Sequence, residues 1–320
     1  MYNNWLGARI QSLRQEGALA RGTMHRRNLL LLTCALLFAP PGVLAQEAPS
    51  TPYEPAQSKE LFDRVIANQK KSDAALELYE RTERVEVKKS AAEPRTAEVR
   101  ITRVIPAGTG MVKIPIGADG KPPDALLYRT ALEKLEHALE LLAAGDRSQR
   151  EGLEKYAKRK KDRTDLIDAT RQAFLYTFVD REPRGGLMLS KYTMLPNPAY
   201  KPTSRTTAIF AKVHGFIWIE EGSSQLARVE GEVSEDISLG LFLAKVYKGS
   251  HFMQEHYEAA PGLWLPSFSQ YDFDGRKFFS SFSIHERTFY SNYHYLGPPK
   301  EALVSIRAEL GKSSSTIAAP

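Results

Sequence analysis

Hydrophobic positions change their period several times along this chain. Between Ser58 and Tyr79, the residues Leu61, Val65, Ile66, Ala75, Leu76 and Tyr79 recur at three- and four-residue steps, which predicts a helix. The period then drops to two. Val85 and Val87 alternate with charged neighbours, and Ala97, Val99 and Ile101 do the same against Glu98 and Arg100, as half-buried strands should. Over residues 124–172 the helical period returns. Pro122-Pro123-Asp124 offers a helix start, Tyr128, Leu132, Leu135, Leu139 and Leu142 form an apolar stripe, and Gly145 supplies a stop. Ser148 with Glu151 reads as a capping box opening a second helix.

From Phe174 to Tyr295 the pattern is strand-like nearly throughout. Candidate strands are Phe174–Val179, Val213–Ile219, Ala227–Val233, Leu241–Lys248, His251–Glu258, Leu263–Phe273 and Lys277–Tyr290. Turn residues separate them at Glu221-Gly222-Ser223, Lys248-Gly249-Ser250, Pro261-Gly262 and Asp274-Gly275, the last being the strongest short hairpin signal. Strands at this spacing describe an antiparallel meander. After Gly297-Pro298-Pro299 the chain, ending in Ser313-Ser314-Ser315-Thr316, is expected to be a disordered tail over 296–320.

Two strands are apolar on both faces. Val213, Ile217 and Ile219 share one face and Phe216 and Trp218 the other; Phe278, Phe282 and Ile284 likewise oppose Phe279 and Phe289. A sheet with such strands curves around a helix or a ligand. The expected fold class is therefore α+β and mostly antiparallel β: a curved half-open β-barrel wrapped on a helix, with a helical insertion at about 124–172. Phe216, Trp218, Trp264, Phe278 and Phe282 are expected to include the walls of an apolar pocket, since aromatic rings cover much area with few rotatable bonds. Which face is concave is left open by periodicity.

Charge changes the picture at the N-terminus. The 320 residues carry a net charge of +6 with a pI near 9.2, which invites a nucleic-acid reading. Residues 1–45, however, hold Arg9, Arg14, Arg21, Arg26 and Arg27 against Glu16, leaving 39 basic and 37 acidic groups in the remaining 275. The basic excess thus sits mostly in a segment that reads as a secretory leader, and no nucleic-acid partner is expected. Met24-His25-Arg26-Arg27 is a charged start, Leu29–Phe38 a short apolar run, and Val43-Leu44-Ala45 a small-residue cleavage signal, with the cut expected between Ala45 and Gln46. Ten apolar residues span about 15 Å as helix, half of a ~30 Å hydrocarbon core. Met1 and Met24 both stand open as starts. Thr33 precedes Cys34, the one cysteine, so a lipoprotein signal is not expected; after cleavage no thiol chemistry remains. The expected location is periplasmic. Residues 46–57, rich in Pro, Ala and Ser, read as a flexible spacer before one domain over 58–295.

The chemistry of the mature chain is sparse. No nucleophile-elbow, P-loop, dinucleotide or HExxH motif is present. His251 and His256 are five apart, which on a strand places them on opposite faces and makes a poor metal pair. No catalytic residue, metal or cofactor is therefore expected, and an enzyme with a site assembled from distant positions is the third alternative. The second insertion helix carries Lys155, Lys158, Arg159, Lys160, Lys161 and Arg163, interspersed with Glu151, Glu154, Asp162 and Asp165. A solvated flank or lid is the expectation, with peripheral membrane contact as its alternative.

Several segments arrive in a familiar order: Val213-His214-Gly215-Phe216-Ile217-Trp218-Ile219-Glu220, Gln225-Leu226-Ala227-Arg228-Val229-Glu230-Gly231, Lys248-Gly249-Ser250 and Gly262-Leu263-Trp264-Leu265-Pro266. The chain resembles exported bacterial proteins related to the periplasmic lipoprotein-sorting carriers over roughly residues 58–295, with 124–172 as a departure from the family pattern. The resemblance is specific in strand order and in the G-x-x-W and W-L-P elements. It implies a half-open antiparallel barrel on a helix, with an apolar cavity that shields acyl chains and no catalytic constellation. Two functions follow as expectations. One is a carrier or binding protein for acyl groups or lipoproteins in outer-membrane biogenesis; the other is a structural or regulatory protein that packs the cavity shut and recognises an envelope partner.

Overall fold

The computed structural model describes residues 55–239, 244–278 and 280–317. The expected leader, the expected Ala45–Gln46 cleavage site and Cys34 lie outside the described residues. Elements follow in the order α1 (Pro55–Leu76), β1 (Tyr79–Lys88), β2 (Glu98–Pro106), β3 (Met111–Ala118), α2 (Ala125–Ala143), α3 (Arg150–Ala173), β4 (Phe174–Arg184) and β5 (Leu187–Pro196). Then come β6 (Val213–Glu220), β7 (Gln225–Val233), β8 (Ile237–Leu239), β9 (Ala244–Val246), β10 (His251–Ala260), β11 (Leu263–Lys277), β12 (Ser280–Tyr295) and α4 (Pro299–Ile317). The strands make one curved antiparallel sheet in the order β3-β2-β1-β12-β11-β10-β7-β6-β5-β4, with β9 also paired to β11 and β8 to β9. The sheet does not close into a barrel, and β3 and β4 are its edges. This is the α+β fold expected. Among the described residues no helix is long and apolar enough to cross a membrane.

Two helical layers cover different parts of the sheet. Helix α1 buries Leu61, Phe62 and Val65, one stripe at three- and four-residue spacing, and α3 buries Leu166 and Ala173. Both pack on the inner face of β4–β7 and β10–β12, where Ile217, Val229, Val233, Phe252 and Phe273 join them. Helix α2 begins as expected: the Asp124 side chain accepts from Leu127 N at 3.0 Å. It ends at Gly145, whose φ of +68° lets Asp146 N reach back to the Leu141 carbonyl at 2.9 Å. Its Leu132, Leu135 and Leu139 form a second core with Ile105 and Ile114 of β2 and β3 and Ala302, Leu303, Ile306 and Leu310 of α4. Arg103 ties these layers together, bonding Glu80, Glu309 and the Tyr128 hydroxyl at 2.6–2.9 Å.

Four expectations need correction. The segment after Gly297 is a helix, because Pro299 is well suited to a first helical turn and the stripe from Ala302 to Leu310 has a core to enter. The expected spacer over 46–57 gives way to helix from Pro55. Ser148 and Glu151 do not form a capping box: Ser148 N is bonded by Asp146 in a short 3-10 turn, and Glu151 pairs with Lys155. Finally, Asp274-Gly275 is not a turn. Both residues pair within β11, opposite Ser283 and Phe282. Gly275 serves close approach instead, since a Cβ there would meet the Phe282 ring at 2.7 Å and the Lys245 backbone.

Candidate functional site

Side chains alternate across strands, so each strand of the sheet offers one set to the helices and one to the outside. On β6 the structure resolves the two-sided pattern: Ile217 faces α1 and α3, whereas Phe216 and Trp218 form an outer cluster with Leu189, Ala227 and Trp264. Trp218 is held there by its indole N–H, which donates to Glu182 at 3.0 Å, and by Arg228 and Lys191 stacked over its ring at 4.7 and 5.0 Å. Phe278 stands at the β11–β12 reversal with φ +53° and is 54% exposed. Phe282 packs half-buried against the edge of the inner core. None of these five residues lines the cavity described next; they are outer-face, turn or core-edge residues, because period-two spacing fixes sharing of a face but not which face the helices cover.

The cavity lies between the inner face and helices α1 and α3, with a volume of about 170 Å³. That is roughly ten times the space one water requires. Its walls are apolar: Phe62 and Val65 from α1, Leu166 and Ile167 from α3, and Ile217, Val229, Val233 and Phe273 from the sheet. Gly215 and Gly231 face each other across β6 and β7, and the Phe252 ring rests on Gly231, where a Cβ would come within 2.7 Å of ring carbons. These glycines let an aromatic ring lie flat on the sheet and shape one wall.

The helices are clamped over the cavity by an ionic seam. Arg163 bonds Asp73 at 3.2 Å and also Glu77, Lys160 reaches Glu77 at 3.0 Å, Lys70 pairs with Asp168 at 2.6 Å, and Arg171 with Asp63 at 2.7 Å. Burial works against the Arg163 charge, but Asp73 and Glu77 together outweigh it and raise its pKa. The basic residues of α3 are thus largely matched by acids, across the seam to α1 and within α3 itself at Lys161–Asp165. Residues 124–172 are no mere appendage either, since α3 supplies part of the cavity wall.

Three polar side chains of β10 and β11 enter the cavity wall: Gln254, His256 and Tyr271. Burial pushes the Tyr271 hydroxyl up to about 12 and lowers the His256 imidazole to about 4. His256 is 8% exposed, and neither of its ring nitrogens makes a hydrogen bond with the protein. His251, as expected, points the other way, toward Glu230 at 3.5 Å on the outer face. A signal for His256 was present in its parity with Phe252 and Gln254, a buried set on β10. Also outside lies a buried His285, whose Nδ1 is 3.1 Å from Asp272 and whose Nε2 is 3.6 Å from Asp274. With carboxylates at both nitrogens, and Arg287 on Asp272 at 3.0 Å, this group is built as an ionic clasp between β11 and β12. Among the described residues no group of three or more His, Cys, Asp or Glu side chains converges in a way that could hold a metal ion.

No family model matches this sequence, and no curated protein matches it. Among solved structures, the chain is similar to a DUF1329 family protein from Desulfovibrio piger. The two are 10% identical, the match covers 74% of this chain and 92% of that one, and the TM-score is 0.30, a likeness too slight to carry function across.

Proposed function

We propose that this protein is a non-catalytic binding protein that shields an acyl-like, apolar ligand between its sheet and helices α1 and α3. The observation that carries the reading is the apolar cavity itself, walled by Phe62, Val65, Ile217, Val229 and Phe273. Removing one CH₂ from water gains about 0.8 kcal/mol, so shape and apolar area alone give useful affinity for a chain of several carbons. The sequence resemblance to periplasmic lipoprotein-sorting carriers supports the same reading, and with the leader-like N-terminus it makes the periplasm the proposed location. Acyl lipids or lipoproteins are the proposed clients.

The test is occupancy. Diphenylhexatriene, a hydrocarbon dark in water, should bind the folded protein saturably and fluoresce, and Val229→Trp or Val233→Phe should abolish the signal while the strand circular dichroism persists. Organic extraction of protein purified from its native envelope should release acyl lipid. A well-folded wild type that binds no probe and releases no lipid would leave the alternative, a structural envelope protein with the cavity packed shut.

A further inference from the structure

An apolar cavity wall has little reason to contain an imidazole. His256 sits on β10 two residues after the buried Gln254, reaches the cavity, is 8% exposed, and has both ring nitrogens without a hydrogen bond to the protein. Buried polar groups without partners are rare in folded proteins, and each calls for an explanation, of which a bound molecule is one. The other charged groups of the wall are already engaged: Arg163 with Asp73 and Glu77, and Arg171 with Asp63. Thr170 donates its hydroxyl to the Ile167 carbonyl at 2.6 Å.

We propose that the cavity ligand is an uncharged amphiphile, a long apolar body bearing a hydroxyl or ester-type oxygen, and that His256 hydrogen-bonds that oxygen. The inference rests on the cavity-ligand reading above and deepens it. A neutral imidazole offers one N–H donor and one lone-pair acceptor; a hydroxyl can meet either of them, and an ester oxygen the donor. A carboxylate does not suit the place: it brings a charge into an apolar wall whose arginines are already paired, and burial keeps His256 from supplying a compensating cation. The apolar body then lies along Ile217, Val229 and Phe273, and the polar end turns toward β10.

Displacement of bound diphenylhexatriene by 1-decanol and by decanoate at pH 8, on wild type, His256→Leu and His256→Gln, tests this. Wild type should take decanol about tenfold more tightly than His256→Leu does, the worth of one good buried hydrogen bond, and should reject decanoate. His256→Leu, read against its own diphenylhexatriene affinity, should lose that gain in decanol affinity while still rejecting the charged decanoate, and His256→Gln, which retains a donor and an acceptor, should recover part of it. If either variant fails to fold, wild-type protein with ¹⁵N-labelled histidine decides, because decanol should move the His256 ring nitrogen resonances and decanoate should not. Probe binding with equal decanol affinity in wild type and His256→Leu, or unmoved ring resonances at saturating decanol, overturns the polar anchor and leaves the apolar cavity standing. Wild type that binds neither probe nor decanol overturns both.

Discussion

His256 enters the folded state as a neutral group, and acid reveals what that costs. Burial lowers its pKa from the ordinary 6.5 to about 4. Between those values the unfolded chain binds a proton that the folded protein resists, so stability rises with pH there. The contribution is complete above pH 6.5 and is lost as pH falls toward 4; below that both states are protonated and the slope vanishes. Working the two-state linkage from pH 7.5 down to pH 4.5 gives a loss of about 2.5 kcal/mol from this one imidazole. Carboxylates such as Glu83 and Asp272, whose pKa values are lowered, add their own acid sensitivity, chiefly below this window. Comparison with His256→Gln removes their contribution. Urea unfolding midpoints should be measured at half-unit pH steps for both proteins. Wild type should lose about 2.5 kcal/mol more than the variant between pH 7.5 and 4.5. Parallel stability curves would refute the buried neutral imidazole, and with it the placement of His256 in the cavity wall.

Trp218→Ala should destabilise the fold by about 3–4 kcal/mol in urea titrations, through lost outer-face packing, yet leave diphenylhexatriene affinity within about twofold; a large loss of probe binding would place Trp218 inside. Asp73→Asn should cost roughly 1–3 kcal/mol by leaving Arg163 half-paired at the helix seam, and hydrogen exchange should quicken in α1 and α3 but not in α2; uniform protection would contradict the seam. Ending the chain at Gly297 removes the buried Ala302, Leu303, Ile306 and Leu310, and at about 1.5–3 kcal/mol per large side chain the second core should fail, seen as dye binding and aggregation. A monodisperse truncated protein of unchanged melting temperature would show that the tail contributes no packing.

The legible parts of the fold were those where one physical rule acts alone. The stripe Leu132, Leu135, Leu139 could only be a helix, and Asp124 and Gly145 mark its ends by local chemistry that tertiary packing left untouched. Strand β7 reads off its alternation at Val229 and Val233, both in the inner core, while a bulge opposite Trp218 and Ile219 turns Ala227 to the outer cluster. Competing rules defeated the reading elsewhere. Pro298-Pro299 ends one element and opens another, and the serines of 313–315 drew attention from the apolar spacing at Ala302 to Leu310. Asp-Gly is a turn dipeptide in isolation, yet at 274–275 the approach of β9 and the Phe282 ring decides its use. The cavity escaped for a related reason. β6 and β12 carry apolar residues on both faces, and only the docking of α1 and α3 makes Ile217 inner and Trp218 outer. His256 was visible by parity with Phe252, but its lack of a hydrogen-bond partner is a property of three dimensions.

The pairing of β1 with β12 joins two distant stretches of the chain. Strands β4 to β7 and β10 to β12 keep nearly their chain order in the sheet, so each pairs with a strand close to it in sequence. β1 must instead find a strand about 200 residues away, as at Arg84 opposite Phe289. Closing so long a loop costs about 2.7 kcal/mol more than closing one of ten residues. The β1–β3 hairpins are therefore expected to join late, and α1, tethered to β1 by two residues, depends on the same long-range pairing. Phe62 and Val65 of α1 line the cavity, so part of its wall hangs on the contact between β1 and β12.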